Sequence, residues 1–200
     1  MKFLIAIVLA YSAGGFPTSV LLSKMFFKKD VRDFGSMNPG AMNVWRVFGL
    51  RMALVVLAVD FFKGYFAAAF IPSLIGLTES AQIALILGMF AVFGHIWSPF
   101  TKFTGGKGIG AAFGVATALY PMAALVSFGL WLIVGFFSNT ASIASLVGVT
   151  IFPVLMFWLY SISNVEIAIG IGLIVLMFYT HRANIQRLRD GQELKIGENR

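Results

Sequence analysis

Long apolar runs alternate with short polar segments along the whole 200-residue chain. The runs cover residues 3–23, 52–72, 80–97, 108–136, 142–160 and 165–180. Most of them have the length, about 20 apolar residues, with which a helix crosses the hydrocarbon core of a bilayer. The pattern therefore predicts an all-α, polytopic integral membrane protein, and we see no boundary that would divide residues 1–200 into more than one domain.

The basic residues fix the expected topology. Segments 24–51, 98–107 and 181–200 are rich in Lys and Arg, whereas the connections 72–79 and 161–164 contain neither. Basic segments stay on the cytoplasmic side of a membrane. From the second basic segment to the third, the chain must then cross the membrane an even number of times.

A break at Tyr120-Pro121 satisfies this requirement, because it divides run 108–136 into two helices. Each half has about 13–16 residues, or roughly 20–24 Å, which is less than the ~30 Å hydrocarbon core. Short helices are tolerated where they line a polar cavity walled by protein. We therefore expect seven transmembrane helices, with the N-terminus outside and the C-terminus in the cytoplasm.

Composition supports a membrane protein and excludes several functions. The chain is 59% hydrophobic and 12% charged, about half the charge fraction of a soluble domain. The absence of cysteine excludes disulfides and thiol chemistry, and two histidines are too few for a histidine-rich metal site. The net charge of +7 is confined to the polar segments, so it indicates topology rather than nucleic-acid binding.

The segment Thr104-Gly105-Gly106-Lys107-Gly108 is the strongest candidate site. Three glycines leave backbone N–H groups unobstructed, and such a nest at a helix N-terminus binds phosphate-sized anions. Lys107 adds a positive charge. The alternative is a sharp turn at the membrane surface. A nucleotide P-loop is not indicated, because Lys107 is followed by glycine rather than Ser or Thr.

A second candidate lies in residues 34–46, a long connection that is rich in Gly, Asn and Ser. A helix over residues 41–47 would place Asn43 and Arg46 on one face. Ser36 and Asn38 can donate to a phosphate or cap a helix, and Arg46 can bind a phosphate through two N–H groups. The alternative is an ordinary loop with a topology-setting arginine.

Charged residues within an apolar run need a partner, and Asp60 and Lys63 are three residues apart in one such run. We favour a structural ion pair, with support of the loop lysine or a proton path as the alternative. Asp30 and Asp33 are explained as well by solvation as by catalysis. The sequence contains no Ser-His-Asp order and no carboxylate pair on the cytoplasmic face, so it does not indicate a side-chain base.

Two i, i+3 pairs complete the candidates. His181 and Asn184 follow the last apolar run and can face the cytoplasmic site, with interfacial anchoring as the alternative for the histidine. Ser142 and Ser145 lie at the start of a run. For them the alternatives are helix capping and helix packing, respectively.

With these residues assembled, the chain resembles the bacterial membrane acyl-phosphate:glycerol-3-phosphate acyltransferases over essentially its full length. The resemblance rests on residues 35–46, 94–108 and 181–185 in this order, and residues 60–64 also match. It implies transfer of a fatty acyl group from acyl phosphate to the 1-hydroxyl of glycerol 3-phosphate, which gives lysophosphatidic acid and inorganic phosphate. The donor's own phosphate would take the hydroxyl proton, and no metal or organic cofactor is implied.

The resemblance also implies roles for particular residues. The catalytic residues, which bind the substrate phosphates or orient the glycerol, would be Ser36, Arg46, Lys107, His181 and Asn184. Further substrate or phosphate contacts would come from Asn38, Gly105, Gly106, Gly108, Ser142 and Ser145. The expected partners are the two substrates and membrane lipid, without nucleic acid, for a monomer in the bacterial cell membrane with its active site on the cytoplasmic face.

This sequence departs from the family pattern at two positions of the first block. Met37 stands where the family usually has Gly, and Met42 where it has Thr. If the family glycine serves a positive φ or a close backbone approach, Met37 would weaken phosphate binding. A small membrane transporter and a paralogue that binds lipid phosphate without turnover are the alternative functions.

Overall fold

The computed structural model describes residues 1–77 and 80–198, and all regular structure within them is helical. The α-helices in this part of the chain are α1 (Lys2–Gly15), α2 (Thr18–Phe27), α3 (Ala41–Phe48), α4 (Leu50–Ala69), α5 (Ile71–Leu74), α6 (Ala81–Ile96), α7 (Ile109–Leu119), α8 (Pro121–Ser138), α9 (Ala141–Leu159), α10 (Asn164–Thr180) and α11 (Arg182–Arg189). Two 3-10 turns, Val31–Asp33 and Pro99–Thr101, lie in the polar connections. Thr78 and Glu79 of the predicted outer loop 72–79, and Arg200 of the basic tail, lie outside the described residues.

The predicted all-α, multi-pass class is confirmed. In the described chain, five helical segments are long and apolar enough to cross a membrane, and a sixth is added if the bent pair α10 and α11 forms one span. The five are Lys2–Phe27, Leu50–Ala69, Ala81–Thr101, Pro121–Ser138 and Ala141–Leu159. Helix α7 is apolar but has only 11 residues, about 16 Å at 1.5 Å per residue.

The helix break predicted at Tyr120-Pro121 is present, and a second break interrupts the first apolar run. Helix α1 ends at Gly15 and α2 begins at Thr18, so Phe16 and Pro17 separate the two helices. Helix α7 ends at Leu119 and α8 begins at Pro121. Proline favours the first helical position because its missing N–H would have no partner there.

The chain divides into two compact units, Met1–Leu119 and Tyr120–Glu198. The expectation of a single domain stays a prediction. In the first unit, α4 packs against α7 with their backbones in close approach. A Cβ at Gly64 would meet the carbonyl of Ala111, and one at Gly114 would meet that of Phe61. Small residues permit such approach between membrane helices.

Helix α1 packs against α6 in the same way, with Gly14 facing Ala91 and Gly94 facing Tyr11. These two close pairs, together with the contact of α6 with α4, fix the helices that flank the glycine segment. In the second unit, α9 packs against both α8 and α10. The first turn of α10 is closed by a capping box between Ser163 and Glu166.

Candidate active site

The glycine segment 104–108 joins the end of α6 to the start of α7, as the sequence predicts. The chain turns sharply beforehand, because Lys102 and Phe103 adopt φ values of 54° and 60°. Thr101 and Thr104 then bind each other's carbonyls through their hydroxyl groups, at 2.8 and 2.5 Å. Gly108 has φ 92° and directly precedes Ile109, the first residue of α7. Lys107 is thus held at the N-terminus of a helix, where an anion is favoured.

Two of the glycine amides are engaged within the protein. The N–H of Gly105 donates to the carbonyl of Ile96 and that of Gly106 to the carbonyl of His95, both at 3.0 Å. In this structure these two amides therefore donate within the protein, and their contact with a phosphate stays a prediction. The last carbonyls of a helix lack intrahelical partners, and here the glycine segment supplies the N–H donors for the carbonyls at the end of α6. The anion-site hypothesis then rests on Lys107 and the start of α7.

The predicted helix in the second cluster is confirmed, since α3 covers Ala41–Phe48. Asn43 is 1% exposed, and its side-chain amide donates to the carbonyls of Val31 and Phe34 at 3.1 and 3.0 Å. Its oxygen accepts from the N–H of Ser36 at 2.8 Å. Asn43 therefore shapes the loop that carries Ser36. Arg46, one turn further on, is 9% exposed.

Met37 occupies a strained backbone position. Its φ is 57°, and its side chain is 68% exposed. A left-handed conformation costs a residue with a Cβ about 1–2 kcal/mol, whereas glycine adopts it freely. The positive φ considered for residue 37 is thus present, and in this chain the backbone keeps this conformation with methionine in place. Asn38 follows and is half-buried.

The loop that carries Ser36 contacts the glycine segment through Arg32. Its guanidinium donates to the hydroxyl of Thr104 at 3.2 Å and binds the carboxylate of Asp30 at 2.7 Å. The Arg32 guanidinium also holds the pKa of the Asp30 carboxyl well below its usual range, and Lys24 at 3.0 Å adds to this effect. Two of the basic segments, 24–51 and 98–107, thus meet.

A small cleft with a volume of about 20 Å³ lies at this junction. Its wall includes Pro39 from the second cluster and Gly105 and Gly106 from the glycine segment. Asp60 and Lys63 also line it. Their predicted ion pair is confirmed, with the ammonium 2.7 Å from the carboxylate.

In the second unit, polar donors converge on a carboxylate that the sequence analysis missed. The hydroxyl of Ser142 and the amide of Asn184 both donate to Glu193 Oε1, at 2.9 and 2.5 Å. Arg187 Nε donates to Glu193 Oε2 at 2.8 Å. Capping by Ser142 is wrong, because Thr140 is the N-cap of α9. The available signal was an acidic residue two positions after Gly191, in a tail where basic residues outnumber acidic ones.

The two remaining candidates of this unit are also buried. Ser145 accepts a hydrogen bond from Trp131 Nε1 at 3.1 Å, so it joins α9 to α8, in agreement with a packing role. His181 is 2% exposed, and its Nδ1 lies 2.8 Å from the carbonyl of Met177. A histidine that only anchored the helix at the membrane interface would be exposed, whereas this side chain is buried. Over residues 1–77 and 80–198, no group of three or more His, Asp or Glu side chains is placed to hold a metal ion.

The apolar helices and their polar connections define a multi-pass integral membrane protein. A family model described as glycerol-3-phosphate acyltransferase matches residues 4–191. The chain belongs to this family.

Relatives named glycerol-3-phosphate acyltransferase cover nearly the whole chain. The Fusobacterium nucleatum protein is 35% identical over 98% of this chain and 99% of its own length. The Dechloromonas aromatica protein is 39% identical over 98% of each. The Bordetella pertussis protein is 40% identical over 96% of this chain and 91% of its own length.

Two crystal structures have the same fold. PlsY (YgiH), an integral membrane glycerol 3-phosphate acyltransferase, in its glycerol 3-phosphate form, matches with a TM-score of 0.90 and 31% identity over 98% of this chain and 96% of that chain. Its lysophosphatidic acid form matches with a TM-score of 0.87 and 30% identity over 99% and 97%. The agreement covers the full helical chain rather than one segment of it.

Proposed function

We propose that this protein transfers a fatty acyl group from acyl phosphate to the 1-hydroxyl of glycerol 3-phosphate. The products are lysophosphatidic acid and inorganic phosphate. Membership of the glycerol-3-phosphate acyltransferase family over residues 4–191 supports the acceptor and the reaction class. The structural observation that carries the proposal is Lys107, held between two buried glycines at the N-terminus of α7.

The reaction needs little from a side-chain base. The glycerol hydroxyl oxygen attacks the acyl carbonyl carbon, the carbon–oxygen bond to phosphate breaks, and the leaving phosphate takes the hydroxyl proton. Both substrates bear phosphate, so the protein contributes by positioning them and by stabilising negative charge. Lys107 and Arg46 supply the positive charge in the first unit, where Ser36 and Asn38 supply polar donors. In the second unit, Ser142, Ser145, His181 and Asn184 are the proposed contacts.

The membrane arrangement belongs to the same proposal. Counting α7 as a short crossing and α10 as a span gives seven helices, with the N-terminus outside and the C-terminus in the cytoplasm. The Arg32–Thr104 contact supports a common side for two basic segments. The proposed setting is the bacterial cell membrane with the site on its cytoplasmic face, and residues 1–200 act as one monomeric acyltransferase domain.

The test is formation of lysophosphatidic acid from glycerol 3-phosphate by the purified protein in lipid nanodiscs, with palmitoyl phosphate, palmitoyl-CoA or palmitoyl acyl carrier protein as the donor. Turnover with palmitoyl phosphate alone is expected. Tight binding of both substrates without formation of lysophosphatidic acid would indicate a non-catalytic paralogue, and glycerol 3-phosphate uptake into proteoliposomes without acyl transfer would indicate a transporter. Either outcome would contradict the proposed reaction.

A matched pair of variants examines the role of Lys107. Lys107→Gln removes the charge at the helix N-terminus and should lower kcat/KM at least 100-fold, the scale of losing one preorganised group that stabilises developing charge. Lys102→Gln removes an exposed charge five residues earlier in the chain and should change kcat/KM less than about threefold, because exposed charges are screened. Equal effects of the two variants on kcat/KM would show that Lys107 only helps to orient the chain in the membrane.

A further inference from the structure

The first unit contains a buried charged cluster that the proposed reaction does not use. Asp60, Lys63 and His95 are 4%, 8% and 8% exposed. The Lys63 ammonium lies 2.7 Å from Asp60 Oδ1 and donates to the carbonyl of Phe16 at 2.6 Å, at the break between α1 and α2. Charges within apolar helices are costly unless they are paired. The ion pair therefore fixes Asp60 beside the end of α6.

His95 connects this ion pair to the glycine segment. Its Nδ1 lies 3.6 Å from Asp60 Oδ1. On its other side, a Cβ added to Gly106 would collide with Nε2 of the ring. The carbonyl of His95 also accepts the N–H of Gly106 at 3.0 Å. Gly106 is thus held by the ring and by the backbone of the same residue.

We propose that His95 is a positioning residue for Lys107, an inference that rests on the proposed function. The imidazole forms the surface on which Gly106 lies, and Asp60 with its lysine partner keeps the ring in place. Gly106 directly precedes Lys107, so its backbone sets where the lysine begins. Removing the ring would open space under Gly106 and let the segment shift. A displacement of about 1 Å in a positioning group costs up to 100-fold in rate.

The geometry permits a test by selective recovery. Gly106→Ala places a methyl group against the His95 ring, whereas Gly105→Ala places one against the backbone carbonyls of His95 and Ile96. Each single change should lower kcat/KM about 100-fold, and His95→Ala should lower it about tenfold. Adding His95→Ala to Gly106→Ala should recover about tenfold, because the colliding ring is gone. Adding it to Gly105→Ala should recover nothing, because the backbone carbonyls remain.

If His95 contributed only to general stability, His95→Ala would lower activity in both the Gly105→Ala and the Gly106→Ala backgrounds, because independent effects add in free energy. That result would overturn the proposal, and so would recovery in both backgrounds. His95→Gln, which keeps a polar side chain of similar length, repeats the cycle with less loss of packing. If the wild-type protein were inactive, the proposed function would be contradicted and the kinetic test could not be made. A second measurement therefore does not depend on turnover.

This second measurement is amide hydrogen exchange of the peptide that spans residues 101–108, in the same nanodiscs. Exchange of its Gly105 and Gly106 amides should be about tenfold faster in His95→Ala than in wild type, because local opening of the segment becomes easier. A peptide from α9 should exchange at an unchanged rate. Unchanged exchange in the glycine segment would overturn the inference, whether or not the wild type turns over.

Discussion

Glu193 offers the sharpest test of the second unit. Its carboxylate binds Ser142, Asn184 and Arg187 at 2.9, 2.5 and 2.8 Å. The glutamate side chain itself is 6% exposed. It therefore fastens the tail that follows α11 to the start of α9. Replacing it with alanine removes three charge-assisted hydrogen bonds at once and leaves their donors in place.

The expected cost follows from the burial of these donors. Ser142 and Asn184 are each 5% exposed, and a buried group that loses its acceptor costs about 1–3 kcal/mol. Arg187 is 30% exposed, so its ion pair adds at most about 1 kcal/mol. Water that enters the space replaces part of the lost bonding. We expect Glu193→Ala to lower the free energy of unfolding by about 3 kcal/mol.

The assay is equilibrium unfolding of the purified protein in mixed detergent micelles, followed by tryptophan fluorescence. Asp190→Ala is the matched control, because Asp190 is an exposed carboxylate of the same tail that accepts from Gln186 at 3.1 Å. Its cost should stay within about 0.5 kcal/mol. A difference of less than about 1 kcal/mol between the two variants would refute the assignment of Glu193 as the acceptor that fastens the tail.

Three further predictions concern the first unit. The pKa of Asp30 is lowered, mainly by Arg32. The ionised carboxylate therefore stabilises the fold above about pH 4, and this stabilisation is lost as the pH falls through the folded-state pKa. Asp30→Asn should lower the free energy of unfolding by about 1 kcal/mol at pH 7 and by less at pH 3, measured by unfolding at both pH values. Met37→Val should destabilise and Met37→Gly should not, with a difference of about 1–2 kcal/mol in unfolding free energy, because of the positive φ of residue 37. Gly64→Ala forces a methyl group onto the carbonyl of Ala111 and should cost about 1–3 kcal/mol in the same assay, whereas Gly129→Ala, with open space around it, should be neutral or stabilising.

The helical framework was predictable because lipid imposes strong local rules. Apolar runs gave the helices to within a few residues, and Pro121 marked the break within run 108–136. The helix predicted over residues 41–47 is present as Ala41–Phe48. Each of these features depends on neighbours in the chain, so periodicity and turn chemistry sufficed.

The finer features of the site depend on contacts between distant segments. Nothing local shows that the amides of Gly105 and Gly106 bind the end of α6, because unobstructed N–H groups suit a helix carbonyl as well as a phosphate. Glu193 escaped notice for the same reason, since its partner Ser142 lies 51 residues away in the chain. Motifs identify which residues carry chemistry, but hydrogen-bond partners require the fold.

The satisfied amides also change where specificity for phosphate should arise. If Gly105 and Gly106 are fixed by α6, the glycines serve close packing against His95 rather than direct anion binding. At the glycine segment, binding energy then comes mainly from the Lys107 ammonium and the N-terminus of α7, which act as charges and place little demand on ligand shape. A phosphate recognised in this way is held by its charge, so affinity for glycerol 3-phosphate should fall with rising ionic strength. An anion cradle of bonded amides would instead discriminate by geometry and depend less on salt, and measuring KM at two salt concentrations separates the two modes.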